Sequence, residues 1–339
     1  MDARGGILVF GDINVDVLAP LGAPLVPGGD NLPRRLELQL GGVGANVAVT
    51  LAKWGVAARL AGCVGRDAFG AMALDALARQ GVDVSGVVQA EAATGLIFIP
   101  VDPDGRRTII GSRGANEMAP AVTPAVCVEE VVGIHLVGYS LLSEATAAWL
   151  RELVAEATAR GIPVSLDVGF APSRTARAQI LELAPRLEVL LVSQEEAEAL
   201  TGQNGAAALK AIATLGARMV IVKQGAAGCQ FMPSAGARWW KVAPLEVNAV
   251  DTTGAGDAFA AGYWIARLRG WETGDAVSLA NASGAAAVAR LGAGEAMPGP
   301  EDVIRVLEHQ PPGGREASAA QRLLRLLRSE VAAARAQSE

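Results

Sequence analysis

The residues with the most chemistry in them lie in one run, Asp251-Thr252-Thr253-Gly254-Ala255-Gly256-Asp257-Ala258-Phe259. An apolar helical pattern continues from Ala258 to Leu268, so Gly254, Ala255 and Gly256 fall where a loop becomes a helix. Backbone N–H groups at a helix start have no partners inside the helix, and the helix dipole makes that end attractive to an anion. Larger side chains there would keep a triphosphate from approaching closely. Asp257 falls in the first turn, beside this anion site. Its carboxylate can take the proton of a hydroxyl that attacks a γ-phosphoryl group in line, while the amides hold the charge building on the transferred group. The plainer reading is an ordinary acidic residue that the dipole favours at a helix start. Gly-Ala-Gly-Asp alone leaves both open, and the complete nine-residue string favours the phosphate chemistry.

Little else competes for a chemical role. Only two histidines occur, and His135 lies in the apolar run Val131 to Val137, where a core residue is the expectation. Cys63, Cys127 and Cys229 are far apart and odd in number, which suits buried thiols better than a disulfide framework or a metal cluster. Any chemistry must therefore run on carboxylates, lysines, backbone amides or a bound metal. The run Gly41 to Asn46 invites comparison with a dinucleotide-binding turn, which needs glycine at its first, third and sixth positions directly after a strand. Here the sixth position is Asn46 and no clear buried strand precedes it, so the dehydrogenase reading is rejected.

These residues must be positioned by a folded scaffold. The chain has 339 residues, of which 51% are hydrophobic, enough for one large α/β domain or two modest ones. Strands are expected at Ile7 to Phe10, Ala58 to Val64, Gly133 to Val137, Pro163 to Asp167, Val189 to Val192 and Met219 to Lys223. Helical patterns at Ala45 to Trp54, Asp67 to Gln80 and Glu144 to Arg160 alternate with them. This βα rhythm implies a mainly parallel sheet with helices on both faces. Two segments break it. Val15 to Leu40 carries three prolines and no long helix, and Gly95 to Val101 and Thr108 to Ile110 flank the turn Asp102-Pro103-Asp104-Gly105 as a hairpin. Together they can form a small projecting sheet. Pro311 to Gly314 reads as a linker and Ser318 to Ala336 as a terminal helix with Leu323, Leu324, Leu327 and Val331 on one stripe, for packing or oligomer contact.

The run ending in Asp257 resembles the C-terminal signature of the PfkB, or ribokinase-like, carbohydrate kinase family. Gly41-Gly42-Val43-Gly44-Ala45-Asn46-Val47-Ala48 resembles its N-terminal signature, and the likeness spans about residues 6 to 305. The resemblance implies a three-layer α/β/α kinase domain over residues 1–310, with lid segments at about 13–42 and 94–113, followed by the linker and helix at 311–339. It implies ATP and Mg²⁺ as cofactors, with Gly254, Ala255 and Gly256 holding the phosphate and Asp257 as base. Asn14, Asp16, Gly42 and Asn46 are implied as sugar contacts, a role that suits groups able to donate and accept to a polyol. Local turn capping is the alternative for each. Arg113, in the stretch returning from the lid, is read as binding substrate or phosphate, or as solvated. Lys223, Gly225 and Gly228 are implied along the nucleotide, and Asn281 near its adenosine part. Glu196 matches the family's Asn-x-x-Glu motif, which organises Mg²⁺, although Ser193 replaces the asparagine. A monovalent cation such as K⁺ near Asp251 is implied as well.

Val43 stands where strict ribokinases and kinases of phosphorylated sugars often carry lysine, and Asp167-Val168-Gly169-Phe170 departs from the Asp-x-Asn-x-Arg form of many fructokinase and ketodeoxygluconate kinase relatives, so neither subfamily is supported. A free sugar is the expected acceptor, with Tyr139 and Ser140 near the pocket. A nucleoside is the alternative within the family, and a non-catalytic sugar or nucleotide sensor the alternative outside it. A structural protein organised by the terminal helix is a third reading. The net charge of −6 and 4% aromatic content argue against nucleic acid as a partner. No apolar run reaches the roughly 18 residues of a membrane span, and Met1 to Gly6 does not read as a secretory signal, so a cytoplasmic location is expected. Exposed strand edges in the lid make a homodimer through it an expectation, and lid closure would exclude water from the reaction.

Overall fold

Short β-branched and apolar runs bounded by glycine become the strands of two sheets. The structure, a computed structural model, describes residues 5–104, 106–233, 236–311 and 319–329. Its strands are β1 (Gly6–Phe10), β2 (Asn14–Pro20), β3 (Glu37–Gly41), β4 (Ala58–Gly65), β5 (Asp83–Ala90), β6 (Gly95–Val101) and β7 (Ile110–Ser112). They continue with β8 (Val131–Val137), β9 (Val164–Asp167), β10 (Val189–Ser193), β11 (Met219–Lys223), β12 (Cys229–Met232) and β13 (Trp240–Val242). The large sheet has the order β13-β12-β11-β10-β9-β8-β1-β4-β5, parallel from β5 to β11 and antiparallel for β12 and β13.

Alternate residues of these strands feed opposite faces, as the two-residue period of a strand requires. Ile7 and Val9 join the core beneath helices Val43–Lys53, Ala255–Leu268 and Thr273–Val288, whereas Leu8 and Phe10 join the core beneath helix Glu144–Ala159. Helices thus cover both faces of the sheet, the three-layer arrangement expected. His135 is fully buried, its Nδ1 2.9 Å from Ser165 Oγ, and burial lowers its pKa to about 4, so it is an uncharged core residue. The three cysteines are buried and free.

The small sheet has the order β3-β2-β6-β7 and stands apart from the large one, as the hairpin pattern suggested. Two details differ from the sequence reading. The returning strand is Ile110–Ser112 rather than Thr108 to Ile110, because the chain first makes a single bridge between Val101 and Arg107. Residue Gly105 of that turn lies outside the described residues. A strand does precede Gly42, but β3 is a lid strand, half-exposed and antiparallel to β2, so it makes no dinucleotide-binding crossover. At the C-terminus, residues 319–329 are helical, with Ala320, Leu323 and Leu327 buried in the main core and Leu324 half-buried against it. This supports the packing role. Residues 312–318 of the expected linker, and Val331 of the stripe, lie outside the described residues. No helix among the described residues is long and apolar enough to cross a membrane.

Candidate active site

Five parallel strands deliver polar residues to one edge of the large sheet. Asp12 follows β1, Tyr139 follows β8, Asp167 ends β9, Ser193 ends β10 and Lys223 ends β11. Carboxyl ends of parallel strands are where open α/β sheets place ligands, because the chain there leaves the sheet in loops that can be reshaped without disturbing the core.

Helix Ala255–Leu268 points its N-terminus at this edge. Its cap, Gly254, has φ +75°, and a Cβ there would lie 2.7 Å from Met297 Sδ, so both conformation and space select glycine. Ala255 N–H reaches the Thr252 carbonyl at 3.3 Å, but no backbone carbonyl among the described residues accepts from the amides of Gly256 or Asp257. Lys223 brings an ammonium beside these amides. A Cβ built on Gly256 would stand 3.3 Å from Lys223 Nζ and 3.7 Å from Asp167 Oδ2. Lys223 Nζ donates to both Asp167 oxygens at 2.7 Å. Burial works to lower the Lys223 pKa, yet the charges of Asp167 and Glu196 outweigh it and keep the group above its usual value. The result is a permanent cation next to free amides, an arrangement fit for phosphate.

Asp257 sits in the first turn and is buried, only 8% of the residue being exposed. Burial raises its pKa to about 7, with Asp167 and Asp16 adding to the shift, while Asn46 and Lys223 oppose it. Asn46 Nδ2 donates to Asp257 Oδ2 at 2.7 Å. A buried carboxylate held at a helix start, with its pKa raised toward neutrality, has the properties of a general base.

On the other side lie the residues expected to hold the acceptor. Asp16 is buried on β2 against Gly41, where a Cβ would come within 2.2 Å of its carboxyl. Its Oδ1 has no partner among the described residues, and burial raises its pKa to about 6. Asn14 Oδ1 accepts from Asn116 Nδ2 at 2.7 Å, which leaves the Asn14 amide to donate. Asn116 in turn accepts from Ile13 N–H at 2.8 Å, so it fixes the loop that presents Asn14. Arg113 is not solvated. It forms a two-pronged pair with Asp12, at 2.7 and 3.1 Å, and its Nη1 is buried without a partner. Gly42 takes φ +97°, and any Cβ there would strike the Asp12 carbonyl oxygen at 2.4 Å.

A cleft of about 750 Å³ opens beside the anion site, lined among others by Glu196, Lys223, Gly225, Gly228, Thr252 and Asn281. That volume suits a nucleotide. Asn281 is also tied to the Ala243 carbonyl at 3.0 Å. Glu196 and Ser193 form a reciprocal helix cap, with Ser193 N–H on Glu196 Oε2 at 2.8 Å. Burial holds the Glu196 carboxyl above its usual range, against the charge of Lys223. Asp251 is enclosed differently: it accepts from Thr253 N–H at 2.8 Å and Gly292 N–H at 2.9 Å and pairs with Arg107 from the segment between β6 and β7. Burial acts to raise its pKa, but these bonds and the guanidinium outweigh it and hold the carboxyl below its usual value.

The structure therefore brings together Asn14, Asp16, Gly42, Asn46 and Arg113 on one side of Asp257, and Lys223, Gly225, Gly228, Asn281 and Glu196 along the cleft on the other. Sequence reasoning missed Asp12, Arg107 and Asn116, and treated Asp167 only as a departure from a motif. Asp167 and Lys223 shared a findable signal, a charged residue closing an apolar strand. Arg107 and Asp12 had none, since their partners lie 144 and 101 residues away.

The sequence matches the description "pfkB family carbohydrate kinase" over residues 5–300. It is 29% identical over 315 residues to a protein of Haemophilus influenzae named ribokinase, covering 90% of this chain and 99% of that one. It is 32% identical over 294 residues to an ATP-dependent ribose-1-phosphate kinase of Halopiger xanaduensis, covering 85% and 93%. A crystal structure of ribokinase from Thermotoga maritima matches the fold with a TM-score of 0.76 at 27% identity, over 90% of this chain and 100% of that one.

Proposed function

We propose, from the premise that this chain belongs to the pfkB family of carbohydrate kinases, that it transfers the γ-phosphoryl group of ATP to a hydroxyl of a small free sugar, with Asp257 as the base. One observation carries the assignment of roles. A buried carboxylate of pKa about 7, steered by Asn46, lies in the first turn of a helix whose free amides adjoin the Lys223–Asp167 pair.

In this reading the acceptor rests among Asn14, Asp16, Asn46 and Arg113, where Asp16 accepts and Asn14 donates to its hydroxyls. Asp257 takes the proton of the attacking hydroxyl. The free amides of Gly256 and Asp257 and the Lys223 ammonium hold the developing charge on the transferred group. Glu196, buried at the cleft wall, is the carboxylate suited to a Mg²⁺ that arrives on ATP, since Mg²⁺ needs one or two protein carboxylates besides phosphates and water. That ion, when bound, supplies neutralisation of the β- and γ-phosphate charge. An inorganic monovalent cation at Asp251 forms no part of the proposal, because the Asp251 carboxylate is already engaged.

A second copy is the proposed partner of the lid. Leu32, Leu36, Ile109 and Ile110 expose large apolar surfaces on the small sheet and its loop, which a dimer would cover.

The test is ADP release from Mg-ATP against free pentoses and hexoses, ribose 1-phosphate, other phosphosugars and nucleosides. Strong turnover with a free sugar supports the proposal. Preference for ribose 1-phosphate or a nucleoside would replace the acceptor, and tight ATP binding with no acceptor would replace the enzyme by a sensor.

A further inference from the structure

Arg107 lies in the segment between β6 and β7, bridged to Val101 at the outer end of the lid. The two neighbouring arginines there have separate partners. Arg106 closes the turn on itself, pairing with Asp102 at 2.8 Å and Asp104 at 3.1 Å. Arg107 instead bonds to the run that precedes helix Ala255–Leu268. Its Nη1 donates to Asp251 Oδ1 and to the Thr253 hydroxyl, and its Nη2 donates to Thr252 Oγ1 at 2.9 Å. These three residues directly precede Gly254, so a single lid side chain grips the run that sets the anion-binding helix start.

The grip leaves the Asp251 charge already paired and its Oδ1 with two donors. Oδ1 accepts from Arg107 and Thr253 N–H, Oδ2 accepts from Gly292 N–H, and the side chain is 4% exposed. An inorganic cation binds through oxygen lone pairs and would bring a second positive charge to a carboxylate that already has one. The monovalent cation that the resemblance implies near Asp251 therefore does not fit the residues present.

We infer that Arg107 is a positioning residue that does the work of a monovalent cation: it neutralises Asp251 and fastens residues 251–253 to the lid, so that the anion site is complete without K⁺ or Na⁺. A guanidinium suits the task because its planar fork can reach several oxygens at once and keeps its charge at any working pH. The consequence for turnover rests on the kinase reading above, but the consequence for ion binding does not.

The test compares wild type, Arg107→Ala and Arg107→Lys in KCl, NaCl and tetramethylammonium chloride at one ionic strength, by thermal melting and by acceptor-dependent ADP release. A cation that binds only the folded chain raises its melting temperature. The wild type should melt alike and turn over alike in all three salts. Arg107→Ala should melt higher in KCl than in tetramethylammonium, where its turnover falls about 10- to 100-fold and partly returns with KCl or added guanidinium. Arg107→Lys should fall between the two. A wild type that melts higher and turns over faster in KCl overturns the inference, as does an Arg107→Ala protein with full turnover and no new salt response. If Arg107→Ala does not fold, the wild-type salt series decides. If no acceptor turns over, that failure belongs to the kinase reading, and the melts still decide this one.

Discussion

Replacing Asp257 with asparagine isolates the base. The side chains are nearly the same size, and the amide oxygen of asparagine can still accept from Asn46 Nδ2, now 2.7 Å from Asp257 Oδ2. The Lys223–Asp167 pair and the free amides are untouched, so ATP affinity should hold. What disappears is the proton acceptor, whose contribution to such reactions is about 10²- to 10⁴-fold, or about 3 to 5 kcal/mol of activation energy. The pH profile gives a sharper signature. Burial, reinforced by Asp167 and Asp16 and opposed by Asn46 and Lys223, places the Asp257 pKa at about 7. Wild-type kcat/KM should therefore rise with pH, about tenfold per unit on the acid side, and level off above neutrality. Asp257→Asn should show a flat residual rate over the same range. Calorimetric ATP titration beside the ADP assay separates binding from turnover. An Asp257→Asn protein that keeps more than about a third of wild-type turnover, or keeps the rising limb, would refute the assignment, because a rate loss this small is far below the range for a general base.

Other expectations follow from the same geometry. Asp257 in the folded protein holds a proton that the unfolded chain loses above 3.8, so its contribution to stability falls as pH climbs from there to about 7. Asp257→Asn should be more stable to unfolding than wild type at pH 8, by up to roughly 4 kcal/mol, and the gap should shrink toward pH 4. Gly256→Ala puts a methyl 3.3 Å from Lys223 Nζ. The ammonium can yield, so stability should change by less than about 1 kcal/mol, while kcat/KM for ATP falls about tenfold as the phosphate site deforms. If the lid pairs with a second copy, Leu32→Glu with Ile109→Glu should halve the mass in solution and leave the melting temperature of the monomer intact. An unchanged mass would remove the lid from the interface.

How much of this was legible before the structure depended on whether a residue's partners were local. Gly254 to Asp257 could be placed at a helix start because the turn, the small residues and the apolar pattern follow one another in the chain, and the helix does begin at Ala255. The same holds for Asp67, read as a helix start and found to cap Gly70 N–H at 2.8 Å. β3 escaped notice because its half-exposed pattern belongs to a sheet with one wet face. β5 escaped because it is an edge strand of the large sheet with only two buried residues, Gly86 and Ala90. Arg113 was left between a ligand and a solvated residue, since its partner Asp12 is 101 residues distant and no periodicity announces the pair. Likewise, the length of apolar runs locates β9 and β11, but only the parallel order β9-β10-β11 shows that Asp167 and Lys223 end on the same edge.

Asn46 shows why the two glycine motifs have to be read together. Its Oδ1 accepts from Gly294 N–H at 2.8 Å, which fixes the amide so that its Nδ2 must face Asp257, 211 residues away. An amide can donate to the carboxylate but cannot surrender its proton, so it steadies the charged form without competing as an acid. That bond draws the Asp257 pKa down against burial, toward neutrality rather than far above it. The donor arrives only if helix Val43–Lys53 is seated closely on the sheet. A Cβ on Gly44 would stand 2.7 Å from the Gly11 carbonyl carbon, and one on Gly42 would meet the Asp12 carbonyl oxygen. The amides of Gly44 and Ala45 are spent on that same Asp12 carbonyl, at 3.1 and 3.3 Å. Two amides of this first helix start are therefore taken, whereas Gly256 and Asp257 N–H at the second have no backbone acceptor among the described residues. Two similar glycine turns thus do opposite things: one is buried and delivers the amide that holds Asp257, and the other keeps amides free, as the proposed phosphate site requires.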